Sequence, residues 1–338
     1  MREFQTEKQL VLDLHRDLEA AGPDGSAAVL AQYLTPTCLW RGYHPFHEQI
    51  GPDAIGDTFW TPLMRAIPAM QRRQDIFFAG QNRLEPDPSV WVVSMGHLMG
   101  NLDAPWLGIP ATGKLVMLRY CEFSRIDQGK ITEQAMFFDI PHLMMQTGLH
   151  PFGPQTGQHL VQPGPRTHDG LLFADADPHV TDATDAAIDF MVNDISKWSG
   201  GKSEPLEVEL ARSWNDDMLW WGPAGIGASY TIERYAKQHS GPFRDAFQTR
   251  EFRGHIARVC EGHYGGFFGW PNLTLEHKGG FMGMPATGTK GDMRVIDIYR
   301  RDGEKLSENW IFIDILHFWN MQGVDILGRT IANLGKPG

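Results

Sequence analysis

The hexapeptide Gly108-Ile-Pro-Ala-Thr-Gly113 returns 175 residues later as Gly283-Met-Pro-Ala-Thr-Gly288, and no other feature constrains this chain as strongly. Holding that offset without a gap from 108 to 148 preserves Gly108, Pro110, Ala111, Thr112, Gly113, Arg119, Arg125, Asp127, Lys130, Glu133, Phe137, Asp139, Ile140, His142 and Gly148, which is 15 of 41 positions. Average residue frequencies give about one match in fifteen by chance. Upstream the offset drifts. Cys38-Leu-Trp-Arg-Gly42 answers Met218-Leu-Trp-Trp-Gly222, and Gly96-His97 answers Gly262-His263. On that last match, copy two carries nine extra residues within the aromatic stretch 267–275. A period this long means two folded domains rather than a solenoid. The 338 residues then divide into a first domain over 1–155, a linker over 156–180 and a second domain over 181–338. The linker region is rich in Pro, Gly and polar residues and lacks a sustained period.

Each copy reads as helices first and strands second. Helical spacing covers 4–20 up to Gly22-Pro23, then 25–34, then 51–70 with interruptions at Pro62 and Pro68. β-type runs follow at 74–84, 90–99, 115–126 and 130–139, and a short helix runs from Pro141 to Thr147. Copy two repeats the strands at 250–261, 290–301 and 305–314. Strands do not alternate with helices, so the expected class is α+β, with a curved, mostly antiparallel sheet packed on N-terminal helices.

Composition removes several classes of partner. Thirty Lys and Arg against 41 Asp and Glu leave a net charge of −11, with no basic block of five or more, so neither nucleic acid nor anionic lipid is an expected partner. The longest apolar run, from Trp310 to Trp319, is broken by Asp314 and His317 and falls short of the ~20 residues of a membrane helix. The start has no apolar stretch of signal-peptide type, and the three widely spaced cysteines read as reduced thiols, which suggests a cytoplasmic protein. His44-Pro-Phe-His47 has a metal-like spacing without a matching ligand set, so no metal is expected. No P-loop, dinucleotide fingerprint or Gly-x-Ser-x-Gly elbow is present.

The chemistry-bearing candidates lie on the repeated strands. Period-2 alternation places Glu133, Phe137 and Asp139 on one face of the last strand and Thr132, Gln134 and Phe138 on the other. Asp139 and its counterpart Asp314 end apolar runs. A desolvated carboxyl there can serve as a general acid or base, and the competing reading is the N-cap of the following helix. His97 and His263 follow glycines on predicted strands, either as core histidines or as members of an Asp–His dyad. His142 and His317 lie one helical turn beyond the aspartates. Arg119 and Arg294 either bind an enolate or carboxylate oxygen or face solvent, the second being the default. Trp40 and Trp220 are pocket wall or core.

These residues, taken in order, resemble a known family. Gly96-His97, Gly108-Ile-Pro-Ala-Thr-Gly-Lys114, Asp127-Gln-Gly-Lys-Ile-Thr-Glu133, Asp139 and Met145-Gln-Thr-Gly148 look like a SnoaL-like polyketide cyclase domain of the nuclear transport factor 2-like superfamily. Copy two is similar through Gly262-His263, Gly283-Met-Pro-Ala-Thr-Gly288, Lys305-Leu-Ser-Glu308 and Asp314, with a turn that reads Asp302-Gly-Glu. The resemblance implies two tandem cone-shaped α+β barrels, each around an apolar pocket, and acid/base chemistry without a cofactor. Asp139 with His97 and Asp314 with His263 would move the proton. Trp40, Arg119 and His142, and Trp220, Arg294 and His317, would contact the substrate. The expected ligand is a small apolar or carbonyl-containing molecule, and the expected reaction is cyclisation, isomerisation or elimination. The rival expectation is a binding protein that uses the same pocket without catalysis. The two copies would pack as an intrachain pseudo-dimer, with further homo-oligomerisation left open.

Overall fold

The computed structural model describes residues 4–196 and 204–334, which form two compact units. Of the described residues, the first holds 4–150, Pro163–Asp175 and 327–334. The second holds Pro151–Gln162 and the chain from Ala176 to Ile326. The connecting stretch is therefore shared, one part packing with each unit.

In the first unit α1 (Gln5–Tyr33) is one helix with a kink rather than two helices. Gly22 adopts φ 65° ahead of Pro23, a left-handed conformation that costs glycine little. Then come β1 (Leu34–Gly42), β2 (His47–Ile50), α2 (Pro52–Ile55), a π-helical turn (Gly56–Trp60) and α3 (Thr61–Ala66). Next are β3 (Gln71–Gln81), β4 (Val90–Asn101), β5 (Leu115–Asp127), β6 (Lys130–Phe138) and α4 (Ile140–Gln146). The six strands form one sheet in the order β2-β1-β6-β5-β4-β3, antiparallel except where β1 runs parallel to β6. α1 packs on one face of this sheet, burying Val11, Leu14 and Leu18 at helical spacing.

The second unit contains α5 (Pro178–Ser196), α6 (Leu206–Leu210), β7 (Trp214–Trp221), β8 (Ala228–Tyr230), α7 (Ile232–Tyr235), a π-helical turn (Ala236–Ser240) and α8 (Gly241–Ala246). It continues through β9 (Phe247–Phe252), β10 (Ala257–Glu261), β11 (Tyr264–His277), β12 (Lys290–Asp302), β13 (Lys305–Ile313) and α9 (Ile315–Met321), while α10 (Ile326–Ala332) belongs from Leu327 on to the first unit. Its sheet runs β10-β11-β12-β13-β7-β8, with β9 paired to β11 and β7 parallel to β13. The offset of 175 carries β5 onto β12, β6 onto β13 and α4 onto α9, and an offset of 180 carries α2, the π-helical turn and α3 onto their partners. Each unit is thus an α+β fold of helices on a curved, mostly antiparallel sheet.

The repeated Leu-Trp-x-Gly has a steric cause. The Trp40 ring lies over Gly42 and the Trp220 ring over Gly222, in space that a Cβ would occupy. Both indoles are buried.

Two expectations need correction. The run expected at 250–261 is two strands, β9 and β10, and the supposed insertion at 267–275 lies inside β11, a strand of 14 residues. Gly96 stands opposite Tyr120 and Gly269 opposite Val295, the residues that share the 175 offset. Gly269-Trp270, not Gly262-His263, is therefore the counterpart of Gly96-His97. A two-residue match could not resist a shift in register. The β-bulge between Gly269 and Leu273 hides the true one.

Candidate active site in the second unit

Alternation along β12 turns Met293, Val295, Asp297 and Tyr299 to one face, and alternation along β13 turns Asn309, Ile311 and Ile313 to the same face. Trp214 and Trp220 on β7, Tyr235 on α7, His239 on the π-helical turn and Phe243 on α8 close over them. They surround a cavity of about 170 Å³. Aromatic and aliphatic side chains make most of the wall, so the few polar groups in it act in a water-poor space.

Asp297 is the carboxylate of this cavity and is only 7 % exposed. Asn309 Nδ2 donates to Asp297 Oδ1 at 2.9 Å and to the Ile298 carbonyl at 3.0 Å. The Tyr299 phenol is held well above its usual pKa, first by burial and then by the neighbouring Asp297, to which it is hydrogen-bonded. Burial and the same carboxylate also push Tyr235 up. Both phenols therefore keep their protons near neutral pH and can only donate or share them.

His239 lies flat on Trp220, with ring centroids 3.9 Å apart and planes at 17°. Burial pushes its imidazole down to about 3, so the ring is neutral near neutral pH. Its Nδ1 is buried without a hydrogen-bond partner among the described residues. Leaving a buried polar atom unmatched costs about 1–3 kcal/mol, a deficit that a ligand oxygen would remove. No group of three metal-ligating side chains converges on this cavity among the described residues.

The same positions in the first unit are occupied differently. The offset of 175 maps Glu122 to Asp297, Gln134 to Asn309 and Tyr120 to Val295. Gln134 Nε2 donates to Ser124 Oγ at 3.0 Å and lies 3.4 Å from Glu122 Oε1. His15 Nε2 on α1 lies 3.2 Å from Glu122 Oε1, and Arg72 lies 3.5 Å from its other oxygen. The Arg72 guanidinium also covers the Tyr120 ring at 4.5 Å, and Tyr120 and Ser94 share a hydroxyl–hydroxyl bond of 2.8 Å. Burial alone would raise the Glu122 carboxyl, but His15, Arg72 and Ser124 outweigh it and hold the group at about 2. The aromatic cluster of Trp40, Phe46, Phe59 and Phe138 packs beside this network.

The aspartates singled out from sequence lie elsewhere. Asp139 and Asp314 are both buried, and each caps the helix after the last strand. Asp139 Oδ1 accepts from the His142 N–H and Asp314 Oδ1 from the His317 N–H, both at 3.1 Å. The N-cap alternative is the geometry present. His97 does not bond to Asp139. Its Nδ1 meets Asp75 Oδ2 at 3.2 Å, and Arg119 stands between the two in the strand register, opposite His97 and accepting the Asp139 N–H on its carbonyl. His263 sits in the turn from β10 to β11, away from any pairing with Asp314.

Arg294 alternates with Met293 and Val295, so it lies on the face opposite the cavity. Its guanidinium stacks 3.7 Å from the Trp270 ring centre and 3.7 Å from Asp314. Arg119 is buried rather than solvated, opposite His97 in the strand register. His142 is buried next to Gln146, with its Nδ1 3.2 Å from Gln146 Nε2, and His317 is half-buried. Of the proposed substrate contacts, only Trp220 lines the cavity, and Trp40 packs against Phe46 and Phe59 in the first unit.

Sequence reasoning missed Asp297, Asn309 and His239. The signal was available as conservative exchange within the repeat, Glu for Asp and Gln for Asn, which counting identities discards.

Residues 13–147 match the family model of the SnoaL-like polyketide cyclases. The matched stretch lies within the first unit. Among curated proteins none matches the chain. Solved structures similar to it include a protein from Jannaschia sp. CCS1 assigned as a SnoaL-like polyketide cyclase, at 23% identity over 42% of this chain and 91% of that one, with a TM-score of 0.33. TsrD from Streptomyces laurentii is 21% identical over 41% of this chain and 96% of its own, also with a TM-score of 0.33. A nuclear transport factor 2-like protein from Burkholderia thailandensis E264 is 21% identical over 44% and 98%, with a TM-score of 0.31. No helix among the described residues is long and apolar enough to cross a membrane.

Proposed function

We propose that the chain is a cofactor-independent acid/base enzyme whose working site is the cavity of the second unit. One observation carries the reading: Asp297 is a buried carboxylate, fixed by Asn309, in the wall of a mostly aromatic and aliphatic cavity that His239 also lines. A carboxylate in a water-poor site is a stronger base than in water, and removal of a proton next to a carbonyl is the step such a base performs. Asp297 takes the proton from the α-carbon, and the electron pair moves onto the carbonyl oxygen. Neutral His239, as its Nδ1–H tautomer, donates to that oxygen as charge builds on it. Asn309 and Tyr299 hold the carboxylate in position. Returning the proton to another carbon gives isomerisation, and attack of the enolate on a second carbonyl in the same molecule gives cyclisation.

Size limits the substrate. A cavity of about 150 Å³ holds benzene, so the 170 Å³ here buries roughly one ring and leaves the rest of a larger molecule outside.

The test is exchange of α-protons for deuterium in acetophenone and related single-ring ketones, followed by NMR in D2O. The intact protein should accelerate exchange and Asp297→Asn should abolish it. Ketone binding without accelerated exchange would make the protein a binder and overturn the catalytic reading.

A further inference from the structure

The bulge in β11 puts a polar residue in the cavity wall that proton abstraction does not use. From Gly269 to Leu273 the strand takes four steps while its partner β12 takes two, from Val295 to Met293. The matching stretch of the first unit, Gly96 to Leu98 against Tyr120 to Leu118, has no such surplus. Directly opposed residues of an antiparallel pair share a face. Val295 and Met293 line the cavity, so Gly269 and Leu273 are turned to it as well. A Cβ at Gly269 would lie 2.6 Å from both Cα and Cβ of Asn272. Asn272 is therefore folded over Gly269 on the cavity side, and it lines the cavity beside its chain neighbour Leu273. Regular alternation would send one of these two to the opposite face, and the bulge brings both to the same one. In the first unit the space over Gly96 is taken instead by the Arg73 carbonyl of β3.

Asn272 is only 7 % exposed. Its carbonyl accepts from the Arg253 N–H at 2.8 Å, while its side-chain amide makes no hydrogen bond among the described residues. A buried amide left unmatched is costly, and a ligand that matches it recovers that cost. Val295, the partner of Gly269, and Asp297 are two residues apart on one face of β12, roughly 7 Å at the rise of a strand. The Asn272 amide and the base thus stand about one six-membered ring apart along the cavity.

We propose that Asn272 is a specificity-determining residue that hydrogen-bonds a second polar group of the ligand, a hydroxyl or carbonyl oxygen across the ring from the carbon that Asp297 deprotonates. This rests on the reading of the cavity as the working site and specifies its substrate class, a ring ketone oxygenated at its far end. An amide suits either group, since Nδ2 donates to a carbonyl and Oδ1 accepts from a hydroxyl. The contact also orients the ligand, because the base is fixed and the reacting carbon must be brought to it.

The probes are 4-hydroxyacetophenone and 4-methylacetophenone, nearly the same in size and differing in the group across the ring, with binding followed by isothermal titration calorimetry. The intact protein should bind the hydroxy compound about tenfold more tightly, because the methyl group leaves the amide unmatched. Asn272→Leu should remove that preference and leave binding of the methyl compound in place. Equal binding of the two probes by the intact protein, binding of neither, or an unchanged preference in Asn272→Leu overturns the proposal. Should Asn272→Leu fail to fold, Asn272→Ala gives the same readout with no added bulk. Exchange in acetophenone, which lacks the second group, requires Asp297 and not Asn272. Equal binding with exchange intact removes the Asn272 contact alone, and a preference for the hydroxy compound without exchange upholds the contact and removes the enzymatic reading alone.

Discussion

The two concave faces present the same pair, a carboxylate on the fourth long strand and an amide on the last, in two opposite settings. In the first unit Glu122 is surrounded by Arg72, His15, Ser124 and Gln134, and Tyr120 under Arg72 fills the space beside it. In the second unit Asp297 is one methylene shorter, Val295 replaces the bulk of Tyr120, and an aromatic-walled cavity opens. A carboxyl held at about 2 against burial, first by His15 and then by Arg72, is a poor base at neutral pH. One carboxylate has been neutralised into a structural network and the other left facing a cavity.

The sharpest way to break this comparison is to exchange the roles of the acids. Asp297→Asn should reduce α-proton exchange by about 10²–10⁴-fold, the usual contribution of a general base, with folding retained. Glu122→Gln should leave exchange intact but cost about 3–5 kcal/mol in denaturant unfolding, because Arg72 is then buried opposite an uncharged partner. Equal loss of exchange in both variants would remove the distinction between the units.

The volume difference can be probed next. Val295→Tyr should fill the second cavity and abolish acetophenone binding in a fluorescence titration. The reverse change, Tyr120→Val, should cost about 2–4 kcal/mol in unfolding by opening a space in the first unit.

Acid sensitivity of the second unit should follow two of its histidines. His239 and His255 sit at about 3 and about 4 when folded, both through burial first, and near 6.5 when unfolded. Folded pKa values below the unfolded ones mean that the unfolded chain binds more protons between them. The stability these neutral rings contribute is complete above pH 6.5, falls as pH drops, and is gone near their folded values. His239→Phe, which copies Phe59 of the first unit, should flatten that loss in melting curves recorded from pH 7 to 4. An unchanged slope would mean that His239 titrates without linkage to folding.

The smallest effect belongs to the residues most prominent in the sequence. Asp139→Asn and Asp314→Asn, which keep an oxygen for the helix cap, should cost at most a few kcal/mol in thermal unfolding, with exchange rates near those of the intact protein. Loss of exchange in Asp314→Asn would return it to the chemistry.

The contrast between prominence and placement shows what the sequence could reveal. Strand and helix content was legible because alternation and turn residues act locally, and β12, β13 and α9 coincide with the 175-residue repeat. Parity along the last strand was legible too: Gln134 bonds to Ser124 and approaches Glu122, while Glu133 before it pairs with Arg41. Which face is concave was not, because that depends on where α1 and the π-helical turns pack, and those are long-range contacts. Asp139, Asp314 and His142 drew notice as identical residues, yet identity there follows from a shared helix cap. His97 and Trp270 occupy equivalent places with different chemistry, and the bulge after Gly269 concealed that from any ungapped comparison. The cavity arises from differences between the copies, at Tyr120 and Val295 above all, whereas the repeat directs attention to what the copies share.

The most direct test of the central claim is a crystal structure with 4-bromoacetophenone bound, its bromine located by anomalous scattering. The account predicts one ordered molecule in the second unit, its carbonyl oxygen within hydrogen-bond distance of His239 Nδ1 and its methyl carbon facing Asp297. Bromine density in the interior of the first unit, or a ketone seated beside Asp139 or Asp314 with the second cavity empty, would contradict it.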